Sequence, residues 1–200
     1  MEEDKIDRSK EYEILGRILV NFEKVINALR LKIYEQMLYL GLDEEKGQRP
    51  IDILLAKLDA CQLCEKFRAI SIEIFGIDSL STKQVKILSD CMKELIEIRN
   101  LLLHSTWFIG YSEFSGSEEE ISRGFNDRYG KKGLIRNRIY FSEEELKKIN
   151  ESMDILIDFI LKLRVDNNEK DIATNEEPYE ENLRKILLSL KKYKSTIEII

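Results

Sequence analysis

Side chains suited to phosphate chemistry fall together in one stretch, Arg99-Asn100-Leu101-Leu102-Leu103-His104. His104 is the single histidine of the 200-residue chain, and the single tryptophan, Trp107, follows it closely. An imidazole exchanges a proton near neutral pH, its ordinary pKa being about 6.5, so it suits general acid–base work. A guanidinium stays charged and presents a planar fork of donors that matches phosphate oxygens. An amide beside them can orient either group. Taken one at a time, plainer roles compete. A histidine at a helix C-terminus is a favourable dipole partner. An arginine on an apolar face is often a buried ion-pair partner, or lays its stem along the face with its head in water.

The element that must position these residues is a helix from Ser81 to about His104, capped by Ser81 or Thr82. Turned by about 100° per residue, it gathers Lys86, Asp90, Lys93, Glu94 and Glu97 on one side. Ile87, Leu88, Cys91, Met92, Leu95, Ile96, Ile98, Leu102 and Leu103 cover a wide apolar arc, so the helix is expected to pack on more than one neighbour. Arg99 falls inside that arc and needs either a partner or a wet cleft. His104 falls on the polar side, one turn after Asn100. Arg99 and His104 point about 140° apart on an ideal helix, so one straight helix does not aim both at one phosphate. A bend at the helix end or a second subunit would have to close the gap.

Arg99-Asn100-x-x-x-His104, at the end of a helix in a helical protein, resembles the motif of the HEPN superfamily (higher eukaryotes and prokaryotes nucleotide-binding domains). The resemblance covers roughly residues 5–165, its specific part being these six positions. It implies an all-α bundle of four to five helices. Many members are metal-independent endoribonucleases with an R-x(4–6)-H motif and a polar residue after the arginine. They commonly dimerise with two motifs facing one cleft. Carried over, the catalytic residues are Arg99, Asn100 and His104, with no metal and no cofactor. The resemblance implies that an RNA 2′-hydroxyl attacks the adjacent phosphorus to leave a 2′,3′-cyclic phosphate. His104 would act as general acid or base, Arg99 would stabilise the phosphorane, and Asn100 would orient His104 or the phosphate. A toxin or defence effector, with an antitoxin or other partner protein, is the biological setting it suggests. The alternative is a non-catalytic HEPN module that binds RNA or a nucleotide or scaffolds a partner protein. A plain helical assembly with Arg99 as a structural ion pair is a third reading. The subgroup paired with minimal nucleotidyltransferases usually has a tyrosine two places after the histidine; Thr106 stands there, so tyrosine modification at that place is not available.

The rest of the chain frames this stretch. Composition is 43% hydrophobic and 35% charged, with two prolines and nine glycines, which suits long helices. No run is long enough to span a membrane, and the charged, acidic beginning has no secretion pattern, so no membrane partner and a cytoplasmic location are expected. A net charge of −6 argues against coating nucleic acid by electrostatics alone, but not against a local basic groove. Cys61, Cys64 and Cys91 read as packed, reduced thiols; a C-x-x-C metal or redox role is the weaker alternative.

The spacing predicts a first helix over residues 5–40, stopped at Gly41, with Tyr12, Tyr34 and Tyr39 at the edge of the core. A second helix is expected over about 50–75, with Pro50 in its first turn and Ile51, Leu54, Leu55, Leu58, Leu63, Phe67, Ile70 and Ile74 inward. Residues 106–141 read as a glycine-rich insertion with a small β-hairpin-like element, strands being expected at 107–111 and 136–141 and a turn at Gly130–Gly133. Arg123, Arg128, Lys131, Lys132, Arg136 and Arg138 lie there among Phe125, Tyr129, Tyr140 and Phe141, as a candidate surface for single-stranded RNA. An ordinary solvated hairpin is the competing reading. Ser142-Glu143-Glu144-Glu145 is a capping box that opens a fourth helix to about 165. The expected division is a helical domain over 1–165 and, over 166–200, a polar linker followed by an amphipathic helix that docks, meets a partner or frays.

Overall fold

The computed structural model describes residues 9–42, 44–108, 121–130, 133–163, 178–195 and 198–199, with side chains for 12–42, 49–79, 81–105, 141–163 and 179–193. Of the residues whose side chains are described, 89% are helical. The helices are α1 (Ser9–Tyr39), α2 (Glu44–Ala56), α3 (Ala60–Phe75), α4 (Leu80–His104), α5 (Glu143–Lys162) and α6 (Pro178–Ser195). No helix among the described residues is long and apolar enough to cross a membrane.

The longest helix, α1, is the spine. Ile18, Phe22, Val25, Ile26, Leu29 and Ile33 recur at helical spacing and are all buried, and α1 packs on α5 and α3 and touches α4. Gly41, at φ 95°, lets the chain turn away after α1, a conformation that side chains with a Cβ rarely adopt. The wide apolar arc of α4 is covered on two sides, by α3 and by α6. Leu183, Ile186, Leu190 and Tyr193 of α6 lie in the same buried cluster as Leu88, Met92 and Leu95 of α4. Most of the arc is thus covered by neighbours within the chain, while Leu103 at its end is exposed. Two charged or polar groups are buried at the α1 interfaces with local partners: Lys32 Nζ reaches Glu35 and the carbonyl of Leu161, and Gln36 Nε2 donates to Ser71 Oγ at 2.8 Å.

Three boundaries differ from the sequence expectation. The segment expected to be one helix over 50–75 is two, because Asp59 opens a new one. Its carboxylate accepts from Gln62 N while the Gln62 side chain accepts from Asp59 N, a reciprocal capping box that stops α2 from running on. At its other end α2 begins earlier than expected, at Glu44, so Pro50 sits inside it rather than in a first turn. Within α2, Ile51 and Leu55 are buried, but Leu54, expected in the core, is 66% exposed. The cap of α4 is Ser79, not Ser81 or Thr82. Ser79 Oγ accepts from Thr82 N, and Thr82 Oγ1 is spent on the carbonyl of Gly76. Of the tyrosines expected at the core edge, Tyr34 packs against the core, while Tyr12 and Tyr39 are exposed.

The capping box at Ser142 forms as expected and starts α5. Between α4 and α5 the backbone forms strands β1 (Thr106–Phe108), β2 (Ile121–Gly130) and β3 (Gly133–Ser142), with β4 (Glu198–Ile199) at the far edge, in the antiparallel order β1-β2-β3-β4. The segment 121–130 was not singled out as a strand in the sequence, its glycines and charges masking any alternation. The pairing of β2 with β3 sets Arg123 opposite Tyr140, Phe125 opposite Arg138 and Asp127 opposite Arg136.

Candidate functional site

Arg99 lies in the C-terminal half of α4 and is half-buried, as is Asn100. Its guanidinium carbon stands 5.6 Å from the centre of the Phe22 ring on α1, within cation–π range. Its Nη1 donates to Asn100 Oδ1 at 3.1 Å. No carboxylate among the described residues forms an ion pair with it. The sequence left a choice between a buried ion pair and a wet cleft, and the surroundings are those of a cleft. A cavity of about 370 Å³ opens beside Arg99 and Asn100, walled by Phe22, Glu23, Ile26 and Arg30 of α1 and by Leu58 to Cys61 at the start of α3. The Phe22 ring and one amide hold the guanidinium in place, and the rest of its donors face a cleft that Glu23 and Asp59 also line.

His104 is exposed in the last turn of α4 and does not line this cavity. The chain stays α-helical from Arg99 through His104 and leaves the helix only at Ser105, whose hydroxyl donates to the carbonyl of Leu101. The expected divergence of the two side chains is therefore not closed by a bend. Asn100 lies between them, on the cleft wall and one turn before His104, where residues four apart are neighbours on a helix. The structure brings Arg99 and Asn100 together at the cleft and leaves His104 outside it, one turn beyond Asn100.

The candidate RNA-binding residues of the insertion are not described at side-chain level. Arg123, Arg128, Tyr129, Arg136, Arg138 and Tyr140 are known by backbone position in β2 and β3, and Lys131 and Lys132 lie outside the described residues. Cross-strand partners share a face of a sheet, so the register groups positions 123, 129, 136, 138 and 140 on one face and 128 on the other.

The cleft contains residues that the sequence did not mark. Phe22, Ile26 and Arg30 carry no mark of a site in the sequence, and Cys61 reads there as a packed thiol with a weaker metal or redox alternative. The available signal was a period-four row on α1, Phe22-Ile26-Arg30-Tyr34, carrying an arginine at the margin of the apolar face. The thiols have raised pKa values. Burial pushes Cys61 up, helped by the charges of Asp59, Glu65 and Glu97, and burial pushes Cys64 and Cys91 up to about 12. Such thiols hold little thiolate at neutral pH and are poor nucleophiles and metal ligands. Among the described residues no group of His, Cys, Asp and Glu is placed to hold a metal ion.

No protein-family model, no curated protein and no solved structure matches the chain.

Proposed function

We propose that the chain is a HEPN-like, metal-independent endoribonuclease of the cytoplasm, an α-helical bundle bearing a β-hairpin-like insertion, that acts as a dimer in a toxin or defence setting. The observation that carries this reading is Arg99: a half-buried guanidinium at a cleft, within cation–π range of Phe22, steadied by Asn100 and in no direct ion pair among the described residues. Such a group suits a phosphate. In the proposed reaction the 2′-oxygen of one nucleotide forms a bond to the adjacent phosphorus and the bond to the 5′-oxygen breaks. His104 takes the 2′-hydroxyl proton or supplies one to the leaving 5′-oxygen, and Arg99 stabilises the phosphorane. The products are a 2′,3′-cyclic phosphate and a 5′-hydroxyl. Since Arg99 and His104 diverge on one helix, the working pair joins Arg99 of one subunit to His104 of another.

The test is cleavage of single-stranded RNA in the presence of a chelator. His104→Ala should lower the rate by about 10²–10⁴ with unchanged melting, because the residue is exposed. Arg99→Ala should also abolish cleavage, with only the cation–π contribution to stability, about 0.5–2 kcal/mol, at stake. Mixing the two inactive variants should restore part of the activity, since a mixed dimer regains one intact pair. A wild-type protein that never cleaves RNA would rule the enzyme out. The position of His104 outside the cleft favours, as a second reading, a module that binds RNA at Arg99 without cutting it.

A further inference from the structure

We propose that the Arg99 cleft binds a small zwitterion of the amino-acid class, its carboxylate on Arg99, its ammonium on Glu23 and Asp59, and its apolar body against Leu58 and Ile96. Four charged side chains line this one cavity of about 370 Å³: Glu23 and Arg30 from α1, Asp59 at the cap of α3, and Arg99 from α4. None of them is in an ion pair among the described residues. Their bonds are to uncharged groups. Arg99 Nη1 donates to Asn100 Oδ1 and Arg30 Nη1 to Asn27 Oδ1, both at 3.1 Å, and Asp59 Oδ1 accepts from Gln62 N at 2.8 Å. Glu23 has no partner among the described residues. Two positive and two negative groups are thus held apart around one cavity, each open to an opposite charge brought by a ligand.

That balance of charge decides the class of ligand. A polyanion would gain the guanidiniums and meet the carboxylates, so its net Coulomb gain at an open cleft is small. A simple cation meets the reverse problem. A ligand with a carboxylate and an ammonium on one short body is matched at both ends. Arg99 is the better carboxylate anchor. It spends one donor on Asn100 and has no other nitrogen buried without a partner, and a guanidinium fork meets a carboxylate with two parallel bonds. Arg30 Nε is buried without an acceptor, so Arg30 contributes charge rather than a second fork. Leu58, Ala60 and Ile96 are half-buried and line the same cavity, which gives a short apolar side chain a surface to lie on. The volume is at the small end of the ordinary range for ligand cavities, about 300–1,000 Å³, and suits a free amino acid better than a longer chain. The site itself needs no RNA. That a bound zwitterion keeps a phosphate off Arg99, and so inhibits cleavage, rests on the function proposed above.

The experiment is an NMR shift titration of the full chain with leucine as the probe, following the backbone amides of Cys61 and Asn100. Leucine should bind with a dissociation constant of about 0.1–1 mM, as its size allows on an open cleft. Leucinamide, which lacks the carboxylate, should bind about 10- to 150-fold more weakly, the loss expected for a charge-assisted contact. N-acetylleucine, which lacks the ammonium, should bind about 5-fold more weakly, a smaller loss because Glu23 and Asp59 are exposed. Glu23→Gln should narrow that second difference. Arg99→Lys, which keeps the charge and gives up the fork, should weaken leucine about tenfold. Absence of shifts at leucine about tenfold above the expected constant overturns the site. So does N-acetylleucine or inorganic phosphate binding as tightly as leucine, which would make it an anion site, or leucinamide binding as tightly, which would make it a cation site. The two readings fail separately. Leucine binding by a chain that never cleaves RNA sinks the enzyme and leaves the site. Cleavage by a chain that leucine does not shift does the reverse.

Discussion

A guanidinium on an apolar helix face is a conflict that the surroundings of Arg99 settle without an ion pair among the described residues. Phe22 supplies a ring face, Asn100 supplies one acceptor, and the cleft leaves the other donors accessible. Lysine would not do the same work, because an ammonium is a point charge without the planar fork that can meet a phosphate bidentately. The cysteines show the opposite outcome, in which burial removes reactivity. Cys64 and Cys91 have folded-state pKa values of about 12 against an ordinary 9.0. For a group raised on folding, the stabilising contribution is complete below the unfolded pKa and is lost as pH rises toward the folded one. Denaturant midpoints should therefore fall as pH climbs from about 9 toward 12, each thiol contributing up to about 1.4 kcal/mol per pH unit. Replacing Cys64 and Cys91 by alanine should flatten that limb relative to wild type. An identical slope in the double variant would show that other groups set the alkaline limit.

At the scale of elements, the start of α3 both ends α2 and builds a wall of the Arg99 cleft, since Asp59, Ala60 and Cys61 line it. Asp59→Ala removes the side-chain half of the capping box. The expected cost is about 0.5–2 kcal/mol. For a chain of this size that lowers the melting temperature by about 2–4 °C per kcal/mol, measurable by thermal denaturation. Asp59→Ser should recover most of it, because a hydroxyl also caps; equal losses in both variants would mean that the cap is not the cause. This boundary is also where the sequence was hardest to read. The apolar residues 51–74 suggest one continuous helix, and the D-x-x-Q signal that divides it is short and polar. Long, strongly periodic segments were legible, namely α1, α4, α5 and α6, because one apolar face repeated over many turns outweighs local detail. Arg99, Asn100 and His104 were legible by type and spacing. Arg30 was not, since its relation to Arg99 depends on how α1 packs beside α4 and α3, which periodicity within one helix does not specify.

On the scale of the whole molecule, α6 completes the burial of α4. The sequence leaves this helix, behind a polar stretch, to dock, meet a partner or fray; it docks, with Leu183, Ile186 and Leu190 almost wholly buried and Tyr193 closing the same layer. The start of α6 is tied to the end of α5 by Tyr179, whose hydroxyl lies 3.0 Å from Lys162 Nζ, with Asp158 beside them. These contacts raise the Lys162 pKa, but Lys162 and Asp158 are exposed and such pairs add little. The apolar layer carries the docking. Fully burying three aliphatic side chains contributes on the order of 5–9 kcal/mol, comparable to the whole stability of a typical domain, about 5–15 kcal/mol. Removing residues 178–200 should therefore abolish cooperative melting and expose the α4 face, seen as binding of an apolar fluorescent dye. Leu190→Ala alone should cost about 2–5 kcal/mol and keep a single transition. A synthetic peptide of residues 178–200 added back to the truncated chain should restore the transition. A truncated protein that melts like the full chain would show α6 to be an appendage, and the α4 face it covers would then be free for another partner.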